Sequence, residues 1–241
     1  MSKVKIILPA RLESSRLANK LLLEVDGIPL FVYTAQRCAQ AVSKSDIIIA
    51  TDSNKIASVA STYGFNYIIT DNRHITGTDR VAEVARSLDD DTIIINVQAD
   101  EVEIDPKNIL KVLEAKKNSK DKVITGKYKV DKETFYDTRS AKIVTDTQNN
   151  ILYISRAPVP CTKNGEWSGQ GYAQVSVYAF SRKDLEFFSS TNRGYLEETE
   201  DIELLRFLEN GVQVEAINMS NKGISIDTID QFIEFKNKIE G

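Results

Sequence analysis

Three cations follow the first apolar run of the chain. Arg11, Arg16 and Lys20 share one short loop directly after Ile6-Ile7-Leu8-Pro9-Ala10. Cations gathered in this way suit a compact polyanion, and a nucleoside triphosphate is the compact one. The loop lacks the two glycines of a Walker loop, so it is not that motif. Taken alone, it also reads as a strand followed by a solvated basic loop.

Two acids follow later apolar runs. Asp100 lies beyond Ile93–Val97, and Asp227 follows Ile224-Ser225-Ile226. Carboxylates at the carboxyl ends of strands suit Mg2+, which takes one or two of them together with substrate phosphates. A strand-end turn is the plain reading of Asp100. A helix N-cap is the plain reading of Asp227, and it is compatible with metal binding. Thr76-Gly77-Thr78 ahead of Asp79-Arg80 either offers N–H groups and hydroxyls to a base or phosphate, or marks a capped helix start. His74 is the single histidine. A histidine-based zinc site and a Ser-His triad are therefore set aside, and His74 is expected as a loop residue.

These groups need a scaffold, and strand–helix alternation supplies one. Strands are expected at Lys3–Leu8, Ile47–Ala50, Asn66–Thr70 and Ile93–Val97. Asp26-Gly27 reads as a turn. Helices are expected after Pro29, up to Tyr63 with Gly64 beyond it, from near Asp79, and from Pro106 behind an Asp105 cap. Wholly apolar runs such as Ile47–Ala50 are the mark of parallel strands buried on both sides. The expected fold is α/β, a mostly parallel twisted sheet with helices on both faces, Rossmann-like, with a smaller β-rich part. That part holds a hairpin (Ala141–Thr145 and Ile151–Ser155), a loop Ala157–Gly171, and a strand Tyr172–Phe180 whose Ala173, Val175, Val177 and Ala179 face one way. A helix capped by Ser181, another from Thr199, strands Val212–Ile217 and Ile224–Ile226, and a final helix after Thr228 complete the reading.

At 241 residues, with 41% hydrophobic and 27% charged content, the chain is an ordinary globular protein with room for a sizeable core. A net charge of −4 argues against a general nucleic-acid binder, so any anion site must be local. No apolar run approaches a membrane span and no signal peptide is evident, so a cytoplasmic protein is expected. Cys38 and Cys161 have no ligand spacing and are expected reduced, the first in the core and the second exposed.

In order along the chain stand Leu8-Pro9-Ala10-Arg11, Ser15-Arg16-Leu17, Lys20, Ala50-Thr51-Asp52, Gly77-Thr78-Asp79-Arg80 and Asn96-Val97-Gln98-Ala99-Asp100-Glu101. Then come Ala141-Lys142-Ile143-Val144, Ser155-Arg156-Ala157-Pro158, Leu196-Glu197, Glu203-Leu204-Leu205-Arg206 and Ile226-Asp227-Thr228. This set resembles the 3-deoxy-manno-octulosonate (Kdo) cytidylyltransferases over nearly the whole chain. That family joins CTP to an acidic 3-deoxy sugar, releasing pyrophosphate, for bacterial surface polysaccharide or lipopolysaccharide. The resemblance implies that Arg11, Arg16 and Lys20 hold the triphosphate, with Pro9, Ala10, Thr76, Gly77 and Arg80 also at the nucleotide. It implies Asp100 and Asp227 as Mg2+ ligands. Gln98, Arg156, Gln174, Tyr178, Glu203 and Leu204 fall at the sugar acid. It further implies one nucleotidyltransferase domain over 1–241, with a CTP half at 1–130, a sugar and dimerisation half at 131–220, and a closing turn and helix at 221–241. A homodimer is the implied assembly.

The departures matter as much. Family members usually carry glycine at Asn19 and Ala99, and proline at Val102. The family pattern His-x-Gly-x-Tyr reads Gln174-Val175-Ser176-Val177-Tyr178 here, and Glu-Gln-Leu-Arg reads Glu203-Leu204-Leu205-Arg206. Both changes fall in the sugar half, so the acceptor is expected to be Kdo, Kdo modified at a terminal hydroxyl, or another acidic sugar. A CMP-sialic-acid-type synthetase and an inactive nucleotide-binding regulator are the alternatives.

Overall fold

The computed structural model describes residues 3–13, 17–220 and 223–241. Chain order is β1 (Val4–Ala10), β2 (Glu24–Val25), β3 (Ile28–Pro29), α1 (Leu30–Cys38), β4 (Ile47–Thr51), α2 (Asn54–Thr62), β5 (Asn66–Ile69), α3 (Gly77–Ala85), β6 (Ile93–Val97) and α4 (Pro106–Asn118). The second half runs β7 (Val123–Lys129), α5 (Lys132–Tyr136), β8 (Lys142–Thr145), β9 (Ile151–Ser155), β10 (Tyr172–Phe180), α6 (Arg182–Ser190), α7 (Tyr195–Glu200), α8 (Leu205–Glu209), β11 (Val214–Asn218) and α9 (Ile229–Glu240).

The main sheet has the order β11-β7-β10-β6-β1-β4-β5. β1 pairs parallel with β4 and β6, β4 with β5, and β11 with β7. β10 alone runs against its neighbours β6 and β7. Both faces are covered, which is why β1 is apolar at consecutive positions. Ile6 and Leu8 enter one core with Phe31, Ile56 and Ile109. Ile7 enters the other with Val81, Leu185 and Leu205. The expected mostly parallel sheet with helices on both faces is what the chain forms.

Several local expectations are met for physical reasons. Asp26 and Gly27 take φ of +49° and +69° between β2 and β3, a two-residue turn whose twist suits a hairpin. Asn19, where the family favours glycine, takes φ of +51°, a left-handed position that asparagine tolerates. Asp105 caps α4 ahead of Pro106. Ala173, Val175, Val177 and Ala179 are all buried inside the chain, so that face is core. Cys38 is buried and Cys161 exposed.

Other expectations are corrected. β7 is a central strand that the sequence reading passed over. Gly126 interrupts its apolar run at a place where a Cβ would stand 2.6 Å from Met219 Cε and 3.1 Å from Val175 Cβ, so any side chain there would require Met219 to shift. The single helix expected from Thr199 is two short ones, α7 and α8, separated where Asp201 takes φ of +51°. Ile224–Ile226 is not a sheet strand. It lies along the loop after β6 instead, through Glu103 N–H to Ile224 O and Ile226 N–H to Asp100 O at 3.1 Å. Val102, Ile226 and Phe235 then bury together with Val25 and Leu30, docking α9 beside β2.

Candidate active site

The loops at the carboxyl ends of β1 and β6 open onto one cavity, closed on the other side by the start of α3 and the α7–α8 region. Its walls include Pro9, Arg11, Lys20, Thr76, Gly77, Arg80, Gln98, Asp100, Glu203 and Asp227. Residues far apart in sequence thus meet at the place where an open α/β sheet offers a crevice. Arg16 lies outside the described residues.

Lys20 is the electrostatic centre. Its side chain is 10% exposed, and its ammonium donates to Asp100 Oδ2 at 2.5 Å and to Asp227 Oδ1 at 3.3 Å. Tertiary contacts bring the two acids to that one nitrogen. Thr34 Oγ1 on α1 donates to Ala99 O at 2.9 Å, steadying the loop after β6. The bond from Ile226 N–H to Asp100 O sets the 224–227 segment beside that loop. Thr228, not Asp227, caps α9, in a capping box with Gln231. The Asp227 carboxylate is thereby left to face Lys20.

Asp100 and Asp227 are hard oxygen donors converging on a cation position, which fits Mg2+. Among the described residues no three His, Cys, Asp or Glu side chains gather into a metal cage. A two-carboxylate site whose remaining ligands come from phosphate and water needs none. Glu101, next along the loop, is buried, and desolvation followed by the charge of Asp100 pushes its carboxyl up to about 8.

The start of α3 is built around an internal anion. Thr76 and Asp79 form a reciprocal capping box. Glu203 accepts from Gly77 N–H at 2.9 Å, from Thr78 N–H at 3.3 Å and from the Thr78 hydroxyl. These are the donors that the sequence reading offered to a base or phosphate, and in the folded chain Glu203 takes them. Burial raises the Glu203 carboxyl while these donors lower it, and burial prevails. A Cβ on Gly77 would lie 3.2 Å from the Gln98 amide and from Pro9 Cγ, so glycine lets three segments close on one another.

Arg80 reaches the wall but is 3% exposed and committed. It donates to Asp52 Oδ2 at 2.8 Å and to the Thr70 hydroxyl. Asp52 in turn accepts from Leu12 N–H at 3.2 Å, fixing the root of the basic loop.

Five residues expected at the site do not line this cavity. Ala10 is fully buried in β1. Leu204 is 1% exposed and belongs to the core beneath α8. Gln174 Nε2 donates to the Tyr178 hydroxyl at 2.9 Å, and burial pushes the Tyr178 phenol up. Arg156 is spent on main-chain carbonyls, with Nε to Glu200 O at 2.6 Å and Nη2 to Asp201 O at 3.1 Å. It joins the end of β9 to the α7–α8 break.

Glu200 makes the same junction from the other side, accepting from Ser155 Oγ at 2.6 Å and Arg156 N–H at 2.8 Å. Burial raises its carboxyl, but these bonds outweigh it, and the net pKa is lowered from 4.5. A carboxylate depressed on folding adds stability that is present above its unfolded value and lost as pH falls through its folded value. Glu200→Gln is therefore expected to flatten the fall in Tm between about pH 5 and 3. An unchanged acid limb in thermal melts would rule this anchor out.

The sequence reading missed His74, Arg193, Glu197 and Asp201 as cavity residues. His74, expected as a plain loop residue, is on the wall and paired through Nε2 with Glu83. Its sole histidine status was the one available signal. For Glu197 the signal was Leu196-Glu197 within the family set, and no motif marked Arg193 or Asp201.

The chain matches the family model described as cytidylyltransferase over residues 5–217. It is 38% identical to a 3-deoxy-manno-octulosonate cytidylyltransferase of Chlorobium limicola, with 88% of this chain and 87% of that one covered. It is 34% identical to one of Chloroherpeton thalassium, with 97% and 96% covered. Among solved structures it is similar to a CMP:2-keto-3-deoxy-manno-octonic acid synthetase complexed with CTP. The TM-score is 0.92 at 29% identity, with 99% of each chain covered. A cytidylyltransferase from Leptospira borgpetersenii shares the fold, with a TM-score of 0.66 at 16% identity over 100% of this chain and 87% of that one. The chain belongs to the 3-deoxy-manno-octulosonate cytidylyltransferase family.

Proposed function

We propose that this cytidylyltransferase transfers the CMP group of CTP to Kdo or a Kdo-like acidic sugar, releasing pyrophosphate. The observation that carries the reading is the meeting of Lys20, Asp100 and Asp227 in one cavity with Gln98 and Glu203.

Arg11, Arg16 and Lys20 hold the triphosphate, and Asp100 and Asp227 hold Mg2+. When bound, Mg2+ offsets phosphate charge and acidifies the attacking anomeric hydroxyl. Lys20 counters the charge that grows on the leaving pyrophosphate, at a point where the fold has already fixed it. Gln98, packed against Gly77, orients the sugar. Glu203 keeps the start of α3 in place from inside, so the wall between nucleotide and sugar does not reorganise during reaction. No covalent intermediate on the chain is required.

The sugar half carries the specificity. Gln174 and Leu204 stand where a titratable ring and an amide are usual, and Gln174 sets the Tyr178 hydroxyl rather than lining the cavity. Their effect on acceptor choice is through Tyr178 and the core under Glu203. The chain works as one domain over 1–241, CTP mainly on 1–130 and sugar acid mainly on 131–220, as a homodimer in the cytoplasm. Among the described residues no helix is long and apolar enough to cross a membrane.

Pyrophosphate release with CTP and Mg2+ against Kdo, 8-amino-Kdo and N-acetylneuraminate tests the reading. Turnover of a Kdo-type sugar, abolished by a chelator and restored by Mg2+, is expected. Preference for N-acetylneuraminate would assign the sialic-acid branch. Silence across the panel with CTP still bound would favour an untested acidic sugar or a regulator.

A further inference from the structure

Two arginines flank α7, Arg193 on the cavity wall and Arg206 off it in α8, and they are used very differently. Arg206 is 3% exposed and fully engaged. It donates to Glu197 Oε2 at 2.7 Å and Oε1 at 2.8 Å, to Asp79 Oδ1 at 3.0 Å and to Phe188 O at 2.9 Å. Arg193 lies on the cavity wall with its side chain 23% exposed. Its Nε is buried and has no hydrogen-bond partner, although Glu197 Oε1 is 3.3 Å away. Its Nη2 has long contacts, 3.4 Å to Glu197 O and 3.5 Å to Asp201 Oδ1. Asp201 itself is exposed to water at 86% of its side chain. Glu197 gives both carboxylate oxygens to the fork of Arg206, and its approach to Arg193 Nε is longer than either of those bonds.

Of the other described cations on the wall, Lys20, Arg80 and His74 are paired within the chain. Lys20 sits between Asp100 and Asp227, and Arg80 is spent on Asp52 and Thr70. His74 is paired with Glu83. Arg11 stands in the basic loop assigned to phosphate. An acidic sugar brings a carboxylate into this cavity, and a buried carboxylate needs a charged, forked partner. Arg193, partly exposed on the cavity wall and held only by long contacts, meets that need, and its planar fork matches a carboxylate.

We propose that Arg193 is the specificity residue that binds the carboxylate of the acceptor sugar, exchanging its long contacts to Glu197 and Asp201 for that anion. This rests on the reading of the chain as a sugar-acid cytidylyltransferase. It also gives the α7 region a direct part in acceptor choice.

The test is steady-state kinetics of Arg193→Lys, Arg193→Gln and Arg193→Ala with CTP, Mg2+ and the best sugar of the panel, with Tm recorded for each. Arg193→Gln and Arg193→Ala are expected to raise the KM for the sugar by roughly 10- to 100-fold, the worth of a charged hydrogen bond. The KM for CTP should stay within about twofold, and Arg193→Lys, which keeps the charge but loses the fork, should recover only part of the loss. A sugar KM unchanged in Arg193→Gln would overturn the proposal, because the charge would then play no part in recognition. Equal rises for sugar and CTP together with a lowered Tm would also overturn it, assigning Arg193 to the framework. If wild-type protein turns over no acidic sugar, the functional reading fails and this inference with it. Wild-type turnover with silent Arg193 variants of normal Tm supports it.

Discussion

Replacing Lys20 by methionine is expected to lower kcat by about 10²–10³-fold, the usual cost of removing one preorganised group that faces developing charge. The structure adds a second effect that a solvated phosphate-binding lysine would not show. The ammonium lies between two carboxylates, 2.5 Å from Asp100 and 3.3 Å from Asp227. Without it, two like charges face one another at 21% and 34% side-chain exposure. Their repulsion is only partly screened at that depth. The metal-free variant should therefore melt below wild type, and Mg2+ should raise its Tm by more than it raises that of wild type. Thermal melts with chelator and with Mg2+, run beside single-turnover kinetics, separate the two effects. Equal Mg2+ responses in both proteins would show that the carboxylates do not share one cation position.

The largest loss of stability is expected at Arg206, remote from the reacting atoms. Its guanidinium stacks 3.6 Å over the Phe188 ring and forms a fork with Glu197, which is fully buried. Arg206→Met keeps much of the apolar volume but leaves Glu197 charged, buried and deprived of its main partner. Breaking a buried pair from one side costs ~3–5 kcal/mol. For a chain of this size that corresponds to a fall in Tm of roughly 6–20 °C. The double variant Arg206→Met with Glu197→Leu should recover part of the fall, because an apolar pair owes no desolvation penalty. Melts of the two singles and the double form a cycle. A single-variant loss under about 1 kcal/mol, or a double variant worse than both singles, would remove this network from the supports of α3 and α8.

The Arg206 network also shows where local reading stops. Arg206 was visible in sequence as part of Glu203-Leu204-Leu205-Arg206, but its partners Glu197, Asp79, Phe188 and Thr191 come from three other elements. No periodicity encodes such a meeting. β7 shows the limit from another side. Its strand signal is broken by Gly126, and the side chain packed over that glycine is Met219, ninety-odd positions away in the chain.

What the sequence determined by itself is the alternating α/β pattern, its buried parallel strands and the identity of most of the polar groups that meet in the candidate site. Ile47–Ala50 is apolar at every position and Ile93–Val97 at all but Asn96, and every residue of both runs is buried, as strands covered on both faces require. Arg11, Lys20, Gln98, Asp100, Glu203 and Asp227 were named from motifs, and they do line one cavity. Tertiary structure decided what each of them is free to do. The N–H groups at the start of α3 were a plausible anion site on paper, yet Glu203 occupies them. Arg156 and Arg80 looked like ligand-binding cations, yet carbonyls and Asp52 hold them. Arg193 had no motif to mark it, yet it is the one with donors to spare among these arginines. The physical reason is the same in each case. Residue type sets how many hydrogen bonds and charges a side chain can offer, but which of them remain unspent depends on neighbours that only long-range packing supplies.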